Sequence, residues 1–264
     1  MKNKDFPSGH WSEQVVREVV QLADRLLGND YEVMEKGRQD IVTSLDIQME
    51  REIKALLLNL FPNDGFVGEE ENQTVSNHKR IWVCDPIDGT LNFTQGIPYF
   101  GIQLALLEGD AVLFSMIYLP KLKELYVAIL GQGAFLNGIS IGTNQGHQTL
   151  EKSIVSFGDF SKSNPSSRTF QNELIGRLLG KAMRIRIQGA SSVDFAFVSS
   201  HKNAVHILFS KNIWEMAPGI LLAKEAGCIV HKFSGEAHGF EGEGLIISAN
   251  QNILNEILLE IEKM

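Results

Sequence analysis

The stretch Trp82-Val83-Cys84-Asp85-Pro86-Ile87-Asp88-Gly89-Thr90 reads as an apolar strand that ends in two carboxylates, three positions apart around a proline. Pro86 fixes φ, and Gly89 lets the backbone turn closely into the element that follows. Paired acids at a strand end are hard oxygen ligands, which suit Mg²⁺ or Mn²⁺ and not zinc. Taken alone, Asp85 and Asp88 could instead cap the following helix, the lesser of the two readings.

On the N-terminal side, Trp11, Val15, Val16, Val19, Val20, Ala23, Leu26 and Leu27 recur at helical spacing, which predicts an amphipathic helix over about 10–27. A second helix is marked by Ile47, Ile53, Leu56, Leu57 and Leu60. Thr43 and Asp46 stand in capping-box spacing at its start, and Phe61-Pro62 closes it. Between the two, Lys36 to Thr43 reads as a loop and a short strand.

On the C-terminal side the texture changes to short apolar runs at 102–107, 111–118, 125–129 and 134–136. Glu108-Gly109-Asp110 and Gly131-Gln132-Gly133 form turns between them. From about 153 onward, strands near 153–157, 184–187, 204–208, 228–232 and 244–248 alternate with helices near 168–180, 191–200, 216–226 and 252–262. That alternation predicts a layered α/β sheet. No repeat or linker stands out. The polar stretch Asn144 to Gln148 is the expected seam between an N-terminal half, 1–143, and a C-terminal half, 144–264, packed as one unit.

The chain has 264 residues, 44% hydrophobic and 21% charged, which is an ordinary globular balance. The net charge of −8 disfavours nucleic acid as a partner, because binding phosphates requires clustered Lys and Arg. No apolar run approaches the roughly 20 residues that span a bilayer. The polar N-terminus lacks the apolar core of a secretory signal, so a cytoplasmic protein is expected. Cys84 and Cys228 sit in apolar runs and are expected to be buried reduced thiols. His201 and His206, at a strand start, are read as surface or hydrogen-bonded residues.

Three acidic clusters stand at strand ends or helix starts: Gly68-Glu69-Glu70-Glu71, the Asp85/Asp88 pair, and Trp214-Glu215. Singly, each has an ordinary explanation as a solvated loop, a cap or a first-turn acid. Together they converge on the carboxyl edge of a sheet, where open α/β folds place their ligands. A phosphate monoester dianion approaching so many acids needs cations, and no arginine cluster accompanies the motifs. Lys36 is the nearest basic candidate.

Gly68-Glu69-Glu70, Asp85-Pro86-Ile87-Asp88-Gly89-Thr90 and Trp214-Glu215-Met216-Ala217-Pro218-Gly219 resemble, in order and spacing, the signature motifs of the inositol monophosphatase family. These are Mg²⁺-dependent, lithium-sensitive phosphatases. The resemblance extends from the first helix to the last and takes in Lys36, the 40–46 segment, Gly133 to Gly138 and Glu225-Ala226-Gly227. It implies the alternating αβαβα sandwich shared with fructose-1,6-bisphosphatases, and a homodimer acting on a small phosphorylated substrate. It also implies two or three Mg²⁺ ions, with Mn²⁺ as a substitute and Li⁺ or Ca²⁺ as inhibitors.

Carried over by residue, the resemblance gives Glu69, Asp85 and the Ile87 carbonyl a first ion, and Asp85, Asp88 and Glu215 a second. Glu70 and Asp46 act mainly through water around a third. Glu69 and the Thr90 hydroxyl orient the attacking water, and Gly89 and Thr90 open a helix whose amides receive phosphate oxygens. Ala190, Ser191 and Asp194, in the segment Gly189 to Asp194, line the leaving-group pocket, with Lys36 near a loop over the site. From their position alone, Ser191, Ser192 and Asp194 fit equally well as caps or first-turn residues of the next helix, and Asp46 as a helix-start acid.

Two positions depart from the family pattern. The usual Trp-Asp is here Trp214-Glu215, one methylene longer. The glutamate that meets inositol hydroxyls, seven residues before that acid, is here Leu208. A less polar pocket of this kind leaves open a nucleotide phosphate, such as NADP 2′-phosphate or 3′-phosphoadenosine 5′-phosphate, or a sugar bisphosphate such as fructose bisphosphate. A rival of another class is an interaction protein on the same fold, as in bacterial relatives that work with RNA-processing or transcription machinery.

Overall fold

The computed structural model describes residues 10–37, 40–71, 78–142, 149–160, 164–234, 236 and 244–264. The expected seam at Asn144 to Gln148 lies outside them.

Helices α1 (His10–Leu26) and α2 (Ser44–Leu60) flank a hairpin of β1 (Val33–Gly37) and β2 (Asp40–Thr43). The capping box forms: Thr43 accepts from the Asp46 amide, and the Asp46 carboxylate accepts from the Thr43 amide. The described residues of the 36–43 stretch thus belong to two paired strands, the first beginning at Val33. Exposure of every residue of β1 hides it from a hydrophobic pattern.

A seven-stranded sheet follows in the order β3-β4-β5-β6-β7-β8-β9. Its strands are β3 (Gly65–Gly68), β4 (Arg80–Asp88), β5 (Gly101–Glu108), β6 (Ala111–Leu119), β7 (Glu124–Ile129), β8 (Gly133–Leu136) and β9 (Ile139–Ile141). Strands β3 and β4 run parallel, so the chain after both emerges at the same edge. The β4–β5 ladder slips by one residue between Asp85↔Gln103 and Asp88↔Gly101, a bulge at which Pro86, lacking an N–H, is tolerated.

The one-turn helix α3 (Thr90–Thr94) follows β4. A five-stranded sheet, order β11-β10-β12-β14-β13, comprises β10 (Ile154–Phe157), β11 (Arg184–Ile187), β12 (Val205–Leu208), β13 (Ile229–His231) and β14 (Leu245–Ser248). Its helices are α4 (Pro165–Leu178), α5 (Ser191–Ser199), α6 (Ile213–Glu225) and α7 (Gln251–Glu262).

Both faces of the large sheet are covered, and the period-2 alternation of β4 shows how. Trp82 and Cys84 pack with Val15, Val19, Met49 and Ile53 of α1 and α2. Val83 packs with Val193, Phe195, Met216 and Ile220 of α5 and α6. A third core joins β10, β12 and β14 to Leu174 of α4 and to Ile253, Leu254 and Ile257 of α7. The layers are therefore α1/α2, large sheet, α5/α6, small sheet, α4/α7, the αβαβα sandwich that the resemblance implied.

Cys84 and Cys228 are buried free thiols. Of the two alternatives for the histidines, surface or hydrogen-bonded, both take the second: His206 lies buried in β12 within 3.1 Å of the Ser156 hydroxyl, and His201 is buried with a ring nitrogen 2.9 Å from the Gly142 carbonyl. Among the described residues no helix is long and apolar enough to cross a membrane.

Candidate active site

Where β3 and β4 end beside the starts of α5 and α6, a cavity of roughly 840 Å³ opens. Seven acids line it: Glu35, Asp40, Glu69, Asp85, Asp88, Asp159 and Glu215. Lys211 is the basic residue in the lining. The acids come from five places in the fold, which is why the sequence shows them only as separate clusters.

Glu69 continues the β3–β4 ladder, its amide donating to the Cys84 carbonyl at 3.2 Å. Its turn is held from below by Glu50 of α2, which is fully buried and accepts from the amides of Glu70 at 2.7 Å and Glu71 at 3.0 Å. Gly68 is required there, since a Cβ at that position would collide with the Glu50 carboxylate. Glu50 follows Asp46 by one helical turn, and a second acid on the apolar face of α2 was the signal by which it could have been recognised.

Asp88 closes β4 and crosses to α5, 103 residues away. Its carboxylate accepts from the Ser191 amide and hydroxyl, each at 3.2 Å, and from the Ser192 amide at 2.6 Å. It therefore caps α5 and not α3, the helix that follows it in sequence. Ser191 also accepts from Gln103 at 2.8 Å, so its hydroxyl serves the scaffold although the residue borders the cavity. Gly89 has φ of 86° and packs against the 189–190 turn, where a side chain would meet the Ala190 Cβ at 2.9 Å. Asn92 fastens the same junction, donating to the Tyr99 carbonyl at 2.7 Å and the Gln188 carbonyl at 2.8 Å.

Asp85 is held differently. It is 3% exposed, and its Oδ1 has no hydrogen-bond donor. Burial pushes its carboxyl well above the usual range, and the charges of Glu69, Asp88 and Glu215 push it further. Burial likewise raises Asp88 to about 6, against the bonds from Ser192 and Ser191, and Glu215 to about 8, against the bond from Ser210. A buried carboxylate oxygen without a donor, beside three other acids, fits a cation. Oxygen donors of this kind match Mg²⁺ or Mn²⁺. Among the described residues no three His, Cys, Asp or Glu side chains are already gathered as a metal-holding group.

Thr90 stands within hydrogen-bond distance of the Asp46 carboxylate, at 3.1 Å, and of the Ile87 carbonyl, at 3.0 Å. Asp46 is fully buried behind Thr90, off the cavity wall, and burial raises its carboxyl despite bonds from Thr43 and Thr90. Lys36 reaches in from β1 to Glu70 at 2.7 Å and Glu69 at 3.3 Å. Burial alone would lower its ammonium, but the two glutamates hold it above the usual value. Glu70 rises to about 7, mainly through burial.

The model of the inositol monophosphatase family matches residues 10–263. The chain belongs to the inositol monophosphatase family. A fructose-1,6-bisphosphatase/inositol-1-monophosphatase of Thermotoga maritima is 33% identical over 231 residues, covering 85% of this chain and 86% of that protein. The Nus factor SuhB of Pseudomonas aeruginosa is 31% identical over 234 residues, 87% of this chain and 86% of its own. The solved structure of an IMPase/NADP phosphatase complexed with Mg²⁺ and phosphate superposes with a TM-score of 0.77 at 26% identity, covering 95% of this chain and 92% of that one.

Of the family positions singled out in the sequence, Glu69, Asp85, Ile87, Asp88, Gly89, Thr90, Ala190, Ser191 and Glu215 all line the one cavity. Asp46, Lys36 and Glu70 stand just behind it. Asp194 is the exception. It is fully buried inside α5, off the cavity wall, and accepts from Gln188 at 3.1 Å. Among the lining residues that escaped sequence reading are Asp159, Phe160, Phe209 and Lys211. They follow β10 and β12, so only the pairing of those two strands brings them to the site.

Proposed function

We propose that this protein is a metal-dependent phosphatase of small phosphate monoesters, and Asp85 carries the reading. An acid buried with one oxygen lacking a donor is costly unless a cation meets it. Glu69, Asp85 and the Ile87 carbonyl would hold one divalent cation, and Asp85, Asp88 and Glu215 a second, with Glu70 contributing through water. When bound, Mg²⁺ neutralises the phosphate dianion and acidifies water.

The protein's own groups do the rest. Asp46 and the Ile87 carbonyl share the single Thr90 proton, which leaves the hydroxyl lone pairs to accept from a water in the cavity. Glu69 stands across the cavity to take that water's proton. The opening turn of α3, with amides that have no partner inside the helix, faces the same space and receives phosphate oxygens. Ala190 and the apolar wall of Leu208, Phe209 and Phe160 receive the leaving group. With Leu208 in place of an acid, that wall favours a leaving group bulkier and less hydroxylated than inositol.

A panel of inositol phosphates, sugar phosphates and nucleotides tests this, with and without Mg²⁺. The expected result is Mg²⁺-dependent phosphate release that Asp85→Asn abolishes. A pure protein releasing phosphate from none of them would leave the reading untenable and favour an interaction protein on this fold, as the SuhB relatives' name points to.

A further inference from the structure

Glu215 is longer by one methylene than the acid the family motif carries, and the space it needs is organised by one neighbour. Ser210 follows β12 and is nearly buried. Its carbonyl accepts from the Gly244 amide at 3.0 Å, which ties the 210 backbone to the start of β14. Its hydroxyl accepts from the amide of Asn212, the N-cap of α6, at 3.1 Å. With that acceptor role filled, the hydroxyl proton points to Glu215 Oε2, at 2.5 Å. Glu215 is thereby restrained at both ends, through α6 and through Oε2, in the cavity wall it shares with Asp85 and Asp88.

We propose that Ser210 is a positioning residue that takes up the extra length of Glu215 and sets its carboxylate for a divalent cation. This rests on the reading of Glu215 as a cation ligand and not on the identity of any substrate. An aspartate at 215 would be too short to keep the bond, so the roles of the two side chains are coupled. Partners that orient ligands in this way typically change metal affinity about 10–100-fold when removed.

The test is Mn²⁺ binding to the substrate-free protein, read by electron paramagnetic resonance and calorimetry, in a double-mutant cycle of Ser210→Ala and Glu215→Asp. Ser210→Ala is expected to weaken Mn²⁺ binding about tenfold, while Ser210→Thr, which retains the hydroxyl, stays within about twofold. In the Glu215→Asp background, Ser210→Ala is expected to shift affinity less than about twofold, because the bond is already gone. Under turnover, Ser210→Ala raises the Mg²⁺ concentration needed for half-maximal rate and leaves kcat at saturating Mg²⁺ nearly unchanged.

An equal loss in both backgrounds would overturn the proposal, since Ser210 would then act through the loop alone. Unchanged binding in Ser210→Ala, or a wild-type protein that binds no Mn²⁺, would do the same. Should Ser210→Ala melt below the assay temperature, Ser210→Cys, nearly isosteric with a weak donor, carries the same cycle. An intact cycle without phosphate release from any ester would refute the phosphatase reading alone.

Discussion

Replacing Glu50 by glutamine tests whether the scaffold beneath Glu69 controls the site. Glu50 is wholly buried, and its two oxygens accept the amides of Glu70 at 2.7 Å and Glu71 at 3.0 Å. Glutamine keeps the shape, but its amide nitrogen must face one of those N–H groups, donor against donor. The backbone at Gly68 packs too closely on the carboxylate for the side chain to swing away. Losing a bond to a charged acceptor and stranding a buried amide costs about 2 kcal/mol, after allowing for relief of repulsion among the neighbouring acids.

A cost confined to the 69–71 turn raises the fraction of molecules with that turn detached about 30-fold, at about 1.4 kcal/mol per decade. Spread over global unfolding, the same cost lowers Tm by roughly 4–8 °C for a chain of this size. Amide exchange at Glu70 and Glu71 is therefore expected to accelerate, and half-maximal phosphate release to require more Mg²⁺ because Glu69 is no longer held. Exchange within twofold of wild type together with an unshifted Tm would refute the reasoning, because it would mean the turn stands without Glu50.

Asp85→Asn removes a buried acid whose carboxyl is held well above its usual range, so the metal-free variant is expected to melt at a higher temperature than wild type. Mg²⁺ is expected to stabilise wild type in a thermal melt and to leave this variant unmoved, and a variant that melts lower would contradict the picture of Asp85. His206 is buried against Ser156 and Phe195, and burial lowers its pKa from 6.5 to about 3. Between those values the unfolded chain takes up a proton that the folded one refuses, so stability falls as pH drops below 6.5 and returns as pH rises. The loss from this group between pH 7 and pH 5 is about 2 kcal/mol, and a urea titration of His206→Asn is expected to show a flatter profile over that range. Trp82→Phe keeps the aromatic contacts to Phe61 and Phe114 but loses the indole bond to Asp64 at 3.1 Å, and is expected to cost about 2 kcal/mol in urea unfolding with kcat unchanged.

The fold was legible wherever a single segment carries its own instructions. Gly109 and Gly131 both sit at positive φ in turns joining paired strands, where glycine chemistry places them, and the Thr43 capping box starts α2. Legibility failed where the partner is distant. Strand β1 is exposed along its length and exists by pairing with β2, so no apolar period announces it. For His206 the sequence leaves surface and hydrogen-bonded positions both open, because Ser156, the partner that decides it, lies 50 residues earlier on the neighbouring parallel strand.

The site divides along the same line, by how many donors the fold gives each acid. Every acid looks alike in sequence, yet the donors around each differ. Asp88 takes two amides and a hydroxyl at the start of α5, Glu50 takes two amides under the 69–71 turn, and Asp46 is enclosed by Thr43 and Thr90. Helix starts and turns supply those donors, so the fold fixes the position of these acids before any ion arrives, although burial still raises Asp88 and Asp46. Asp85 receives no donor on Oδ1, and the Glu215 carboxylate, with a hydroxyl from Ser210, lines the same cavity as Asp85 and Asp88. Carboxylates left so short of donors keep the most lone pairs free for a cation, and in the proposed site Asp88 joins them as a ligand already oriented by α5. Substituting Asp85 is therefore expected to remove metal binding with the fold intact, whereas substituting Glu50 disturbs the backbone that brings Glu69 to the same ion.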